Sequence, residues 1–261
     1  MKRRLLAVPF TMTIGLMFLF GHAFKNDAAP QENAVRVLVS NGMKAAMEEL
    51  LPQAQRAIGQ PLAVQYNSTL AVRKKIEAGE IFDATVITSE AVGDLIKEGK
   101  LAANSRTELA RSELGIGIKA GAAKPDIHTV DALKRALREA KSITYPQDGA
   151  SRGYIEMMLQ RLGIAADVKS KIILAPGSGP ATESVAAGKA TFVITLFSEI
   201  VPIKDVEILG PLPGEYQSDI KFAAAVSSAA KNAEAGKALI AFLKSPKAAV
   251  VLKAKGLEPR N

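Results

Sequence analysis

Ala34-Val35-Arg36-Val37-Leu38-Val39-Ser40 is a short, β-branched run that Asn41-Gly42 breaks. Met43 to Ile58 continues with helical spacing and stops at Gly59. Pro61 to Tyr66 reads as a second strand. Asn67-Ser68-Thr69 then stands where a helix N-cap belongs, and that helix runs to Ala78-Gly79. Phe82 to Thr88 is a third strand, with Ser89-Glu90 directly behind it.

The same order returns about a hundred residues later. Ser142 to Tyr145 is a strand, followed by the polar loop Pro146-Gln147-Asp148-Gly149-Ala150-Ser151-Arg152-Gly153. Tyr154 to Leu162 is a helix ending at Gly163, and Lys171 to Ala175 is a strand. Gly177-Ser178-Gly179 opens a further helix that stops at Ala187-Gly188. Phe192-Val193-Ile194-Thr195 closes the set, with Ser198-Glu199 behind it. Each half is thus strand, loop, helix, strand, serine loop, helix, strand. Such alternation predicts an α/β fold of two lobes, each a mainly parallel sheet flanked by helices, with ligands beyond the carboxyl ends of the strands. Leu114 to Lys119 reads as an extended segment joining the lobes, and Ile220 to Ser227 as the return. Lobe 1 is then residues 34–115 with 220–261, and lobe 2 is 116–219. The loop Gly210 to Gly214 reads as a surface turn.

Four loops, 40–43, 67–70, 146–153 and 176–180, converge in this arrangement. Each sets hydroxyls or glycine amides directly before a helix, where unpaired N–H groups receive an anion readily. The candidate ligand-binding residues are Ser40, Asn41, Gly42, Asn67, Ser68, Thr69, Ala150, Ser151, Arg152, Ser178 and Thr195. Simple helix capping is the competing reading of each loop. Arg152 has the planar fork that fits a carboxylate; a solvated loop arginine is the alternative. Acid–base candidates near the cleft are Tyr145, Asp148, Tyr154, Glu199 and Tyr66. Of these, Tyr145 and Asp148 are the candidate catalytic residues if the chain is an enzyme.

Composition narrows the chemistry. There is no cysteine, which removes disulfides, thiolate catalysis and a lipid anchor. His128 is the one histidine outside the N-terminal segment, so a His-based triad or metal site is not expected, and no cofactor is implied. Lys2-Arg3-Arg4, the apolar run Ile14 to Phe20 and Gly21-His22-Ala23 have the form of a secretory signal peptide, residues 1–23, cut on export to the periplasm. The net charge is +8, and most of that excess lies beyond the first residues. It suits an anionic ligand. Aromatics are only 5% and no dense basic tract occurs, so nucleic acid is not an expected partner. A monomer is expected.

The stretch Val37 to Met43 with Ala46 to Leu50, Ser68-Thr69-Leu70, Ile76 to Gly79, Asp83, Gly149-Ala150-Ser151 and the ending Ala248 to Pro259 resembles the molybdate-binding-protein-like family of bacterial periplasmic solute-binding proteins. The resemblance covers nearly all of the chain beyond residue 23. It implies a two-lobed periplasmic-binding-protein fold that closes on its ligand and delivers it to an ABC transporter. By that resemblance Ser40 and Ser68 match the two oxyanion-binding serines, and Ala150-Ser151 the second-lobe backbone donors. The family's molybdate binders carry a tyrosine near the end of the last second-lobe strand. Thr195-Leu196-Phe197 stands there instead, which with Arg152 points to a di- or tricarboxylate. The wider group also includes an aconitate isomerase, so interconversion of aconitate isomers by proton transfer is the enzymatic alternative.

Overall fold

The computed structural model describes residues 33–260, and the expected signal peptide lies outside them. No helix among the described residues is long and apolar enough to cross a membrane. The first sheet has a parallel centre: β1 (Val35–Ser40) lies between β2 (Leu62–Asn67) and β3 (Ala84–Thr88). Helices α1 (Lys44–Ile58), α2 (Thr69–Glu77) and α3 (Ser89–Lys97) follow these strands in turn. A 3-10 turn at Asn41–Met43 delays the start of α1.

β4 (Thr107–Lys119) then leads through α4 (Val130–Glu139) into the second sheet. There β5 (Ile143–Pro146) pairs in parallel with β6 (Ile172–Ala175) and β7 (Phe192–Leu196). The helices between and after them are α5 (Arg152–Arg161), α6 (Ala165–Val168), α7 (Ser178–Ala186) and α8 (Phe197–Ile200). The chain returns through β8 (Val206–Pro211) and β9 (Asp219–Val226). It closes with α9 (Ala233–Leu243), α10 (Pro246–Ala254) and β10 (Glu258–Pro259).

The expected joining and return segments are full antiparallel strands. β4 changes partners along its length: Thr107 to Glu113 pair with β9, and Leu114 to Lys119 pair with β7 and β8. β9 also pairs antiparallel with β3. The parallel strands thus form the inner part of each sheet, and the connecting strands run against them. The region read as a surface turn at 210–214 needs correction. Gly210 and Pro211 end β8 against β4, and Leu212 is buried. Proline is tolerated there because β8 lies at the end of its ladder.

Two close contacts fix the loops of the first sheet. A Cβ on Gly42 would stand 2.5 Å from the ring of Phe222, which is fully buried and has nowhere to go. Only glycine lets the β1–α1 turn approach this closely. Asp83, buried just before β3, accepts from the Arg36 N–H at 2.9 Å and the Asn232 N–H at 2.7 Å. Its second contact with Asn232 is from Nδ2 at 3.3 Å. One carboxylate therefore ties β1, the entry to β3 and the residue before α9 together.

Candidate functional site

A cleft of about 800 Å³ runs between loops of the two sheets. Its depth narrows to a cavity of about 10 Å³, roughly the space of one water molecule. All four converging loops reach that cavity: Ser40, Asn41 and Gly42; Ser68 and Thr69; Asp148, Gly149 and Ala150; and Ser178. Leu196 and Glu199, from the β7–α8 turn, complete its lining.

The hydroxyls here are already ordered. Ser40 is extended at the end of β1 and makes no cap bond of its own; its Oγ accepts from Thr69 Oγ1 at 3.1 Å. Ser68 is the N-cap of α2, accepting from the Ala71 N–H at 3.1 Å. Capping and ligand binding are compatible in it, because a hydroxyl that accepts still has its own proton to donate. Ser178, at the first position of α7, hydrogen-bonds the Glu199 carboxyl.

Several candidates stand elsewhere. Tyr145 is buried in β5 within the main core and lines neither the cleft nor the cavity, so it is not placed to act as a base. Burial raises its phenol further from ionisation. Thr195 is fully buried behind the cavity and donates to Glu199 Oε2. Asn67 pairs with Ser40 at the end of the β1–β2 ladder but does not line the cavity. The Ser151 hydroxyl is buried near Gly149, does not itself line the cavity, and has no hydrogen-bond partner. Tyr66 is outside the cleft, and burial with Glu48 nearby pushes its phenol up to about 12.

Arg152 lines the wider cleft with two partners of its own: Nε donates to Glu156 at 2.9 Å, and Nη1 to the Gln147 carbonyl. It thereby latches its own loop, a role included neither in its reading as a carboxylate partner nor in the solvated alternative. Arg73 in the same cleft is held by Glu77, Asp94 and Glu98. Lys221 also lines the cleft and has no ion-pair partner among the described residues.

Glu199 is the group whose importance the spacing understated. Glu199 lines the cavity, and its carboxyl is held by Thr195, Ser178 and the Leu196 N–H. Burial raises it above the usual carboxylate range, against the lowering effect of those hydrogen bonds. Gly115 in β4 lets the turn lie close: a Cβ there would stand 2.1 Å from the Phe197 ring. The signal for the turn was present as the echo between Ser89-Glu90 and Ser198-Glu199, since both third-strand exits reach the cleft.

Chemically, the depth offers the hydroxyls of Ser40, Ser68 and Thr69 beside the acids Asp148 and Glu199, and the mouth offers Arg152 and Lys221 among Glu90, Asp94 and Asp219. The chain is 28% identical over 238 residues to the aconitate isomerase of a Pseudomonas species, covering 89% of this chain and 90% of that protein. It is 27% identical over 237 residues to the molybdate-binding protein ModA of Azotobacter vinelandii, covering 87% and 91% respectively. The solved Azotobacter vinelandii periplasmic molybdate-binding protein has the same fold, with a TM-score of 0.73 at 19% identity over 87% of this chain and 100% of that one. The family described as bacterial extracellular solute-binding protein matches residues 35–258, and the chain belongs to that family.

Proposed function

We propose that this protein is a periplasmic receptor that closes its two lobes on a small di- or tricarboxylate and delivers it to an ABC transporter. The observation that carries this reading is the division of the cleft. Its depth is lined by hydroxyls, backbone and the side chains of Asp148 and Glu199 without a lysine or arginine, while Arg152 and Lys221 line the wider mouth beside the acids Glu90, Asp94 and Asp219. One carboxylate of the ligand meets the hydroxyls of the depth, which widens from the space of one water to admit it, and the others meet the cations. A single tetrahedral oxyanion would leave those cations without a partner. The partner change in β4 at Glu113–Leu114, beside the start of β9, is the hinge between residues 34–115 with 220–261 and residues 116–219.

Arg152→Ala tests the assignment. It should weaken trans-aconitate binding at least about tenfold, or roughly 1.4 kcal/mol, by calorimetric titration. Thermal unfolding of the same variant measures what the lost latch to Glu156 and Gln147 contributes to stability. Tight molybdate binding, indifferent to the substitution, would contradict the carboxylate reading.

The similarity to an aconitate isomerase favours a second reading, in which the same cleft moves a proton. Asp148, at the edge of the cavity, then takes a proton from the methylene carbon of trans-aconitate. The double bond shifts, and the proton is returned to the former vinyl carbon. Under this reading Asp148→Asn abolishes turnover and leaves affinity within a few-fold. A receptor instead forms no isomer and admits no solvent deuterium into the bound acid over hours.

A further inference from the structure

With Asp148 already in the lining, an anion in so small a cavity disfavours ionisation of a second carboxyl there, and none of the lining residues is lysine or arginine. Glu199 nevertheless brings a carboxyl to that cavity. We infer that Glu199 holds a proton when the anion is bound and donates it in a hydrogen bond to an anion oxygen, so that the site takes up anion and proton together. The inference rests on reading the cleft as an anion site. It assigns to Glu199 a role in recognition that the serines cannot have, since their protons do not titrate.

The surroundings of Glu199 fit a neutral carboxyl. Thr195, Ser178 and the Leu196 N–H are all uncharged. The other titratable group lining the cavity is Asp148, an acid, which adds to the disfavour of a second negative charge. The elements packed against α8 turn their charges elsewhere. On β4, Arg111 pairs with Asp219 and Glu258, Glu108 with Arg106, Glu113 stands opposite Asp219 in the ladder, and Lys119 is exposed. Glu183 of α7 is exposed, and Glu207 of β8 pairs with Lys124. β7 and the Asn41–Met43 turn carry no charged residue.

The sign of the pH dependence follows. Burial raises the Glu199 carboxyl above its unfolded value, so the folded protein keeps this proton over a range where the unfolded chain has lost it. The associated stabilisation is full below the unfolded value and is lost as pH rises through the folded value. Anion affinity falls across the same upper range, by at most about tenfold per pH unit for one linked proton.

Calorimetric titration with trans-aconitate from about pH 6.5 to 9, where carboxylates of ordinary affinity for protons are ionised, tests this. Running it in buffers of differing ionisation enthalpy counts the protons taken up. Wild-type protein should take up as much as one proton and lose affinity as pH rises. Asp148→Asn, which removes the neighbouring acid, should keep proton uptake and move the loss of affinity to lower pH. Glu199→Gln, whose amide donates at every pH, should give a flat profile without proton uptake. Equal slopes in wild type and Glu199→Gln would overturn the inference, as would loss of all binding in Glu199→Gln. If molybdate binds and trans-aconitate does not, the carboxylate reading fails, and the same profiles run with molybdate still decide the role of Glu199. Thermal unfolding without ligand gives a second arm. The melting temperature of Glu199→Gln relative to wild type should rise with pH, and parallel profiles would count against a raised Glu199.

Discussion

Replacing Ser40 and Ser68 together by alanine lowers affinity for the bound anion by about a hundred-fold or more. Each hydroxyl lines the deep cavity and is already oriented, Ser40 by Thr69 and Ser68 by the start of α2. Each therefore retains its own proton to donate. A hydrogen bond to a charged group contributes about 1.5–3 kcal/mol. Two such bonds correspond to roughly 3–6 kcal/mol, or about 10²–10⁴ in affinity. Titration with trans-aconitate measures the loss. Ser68→Ala alone also removes an N-cap, at a cost of about 1 kcal/mol to stability. Ser40 makes no cap bond, so Ser40→Ala alone reports the lost ligand contact without that complication. An affinity within twofold of wild type in the double variant would remove both serines from the site.

Asp83→Ala has the largest expected effect on stability, about 3–5 kcal/mol. The Arg36 and Asn232 N–H groups both donate to this carboxylate, and Asp83 is only 3% exposed. Truncation strands those donors where water has little access, at about 1–3 kcal/mol each, besides the bonds lost. The chain segments joined are far apart in sequence, so no local rearrangement supplies another acceptor. At about 2–4 °C per kcal/mol for a protein of this size, the melting temperature should fall by roughly 10 °C. Denaturant unfolding supplies the free energy directly. A loss below about 1 kcal/mol would mean that the two donors find water in the variant.

The elements of the two repeats were legible because local signals agree there. Apolar spacing marks α1, Ser68 caps α2, and the short β-branched runs mark the parallel strands. β4 and β9 were visible only as extended segments, because a strand's partners and direction are set by distant chain. β8 was hidden by Gly210 and Pro211, which resemble a turn when read locally. The converging loops were legible from strand order, but the direction of individual side chains was not. β5 is buried at all four positions, so alternation offers no face by which to tell Tyr145 from a cleft residue. Arg152 and Glu156 are four apart on one helix, a spacing that permits their ion pair. The weight of Glu199 came from enclosure, which becomes visible only when α8 lies against β4 and α7.

The most direct measurement is calorimetric titration of wild-type protein, freed of any co-purified ligand, with trans-aconitate and molybdate under one set of conditions. A receptor that meets one carboxylate with the hydroxyls of its depth and the others with Arg152 and Lys221 binds the tricarboxylate with a dissociation constant at least about tenfold below that for molybdate, a margin of roughly 1.4 kcal/mol. Molybdate binding as tight as or tighter than trans-aconitate would contradict the proposed division of the cleft.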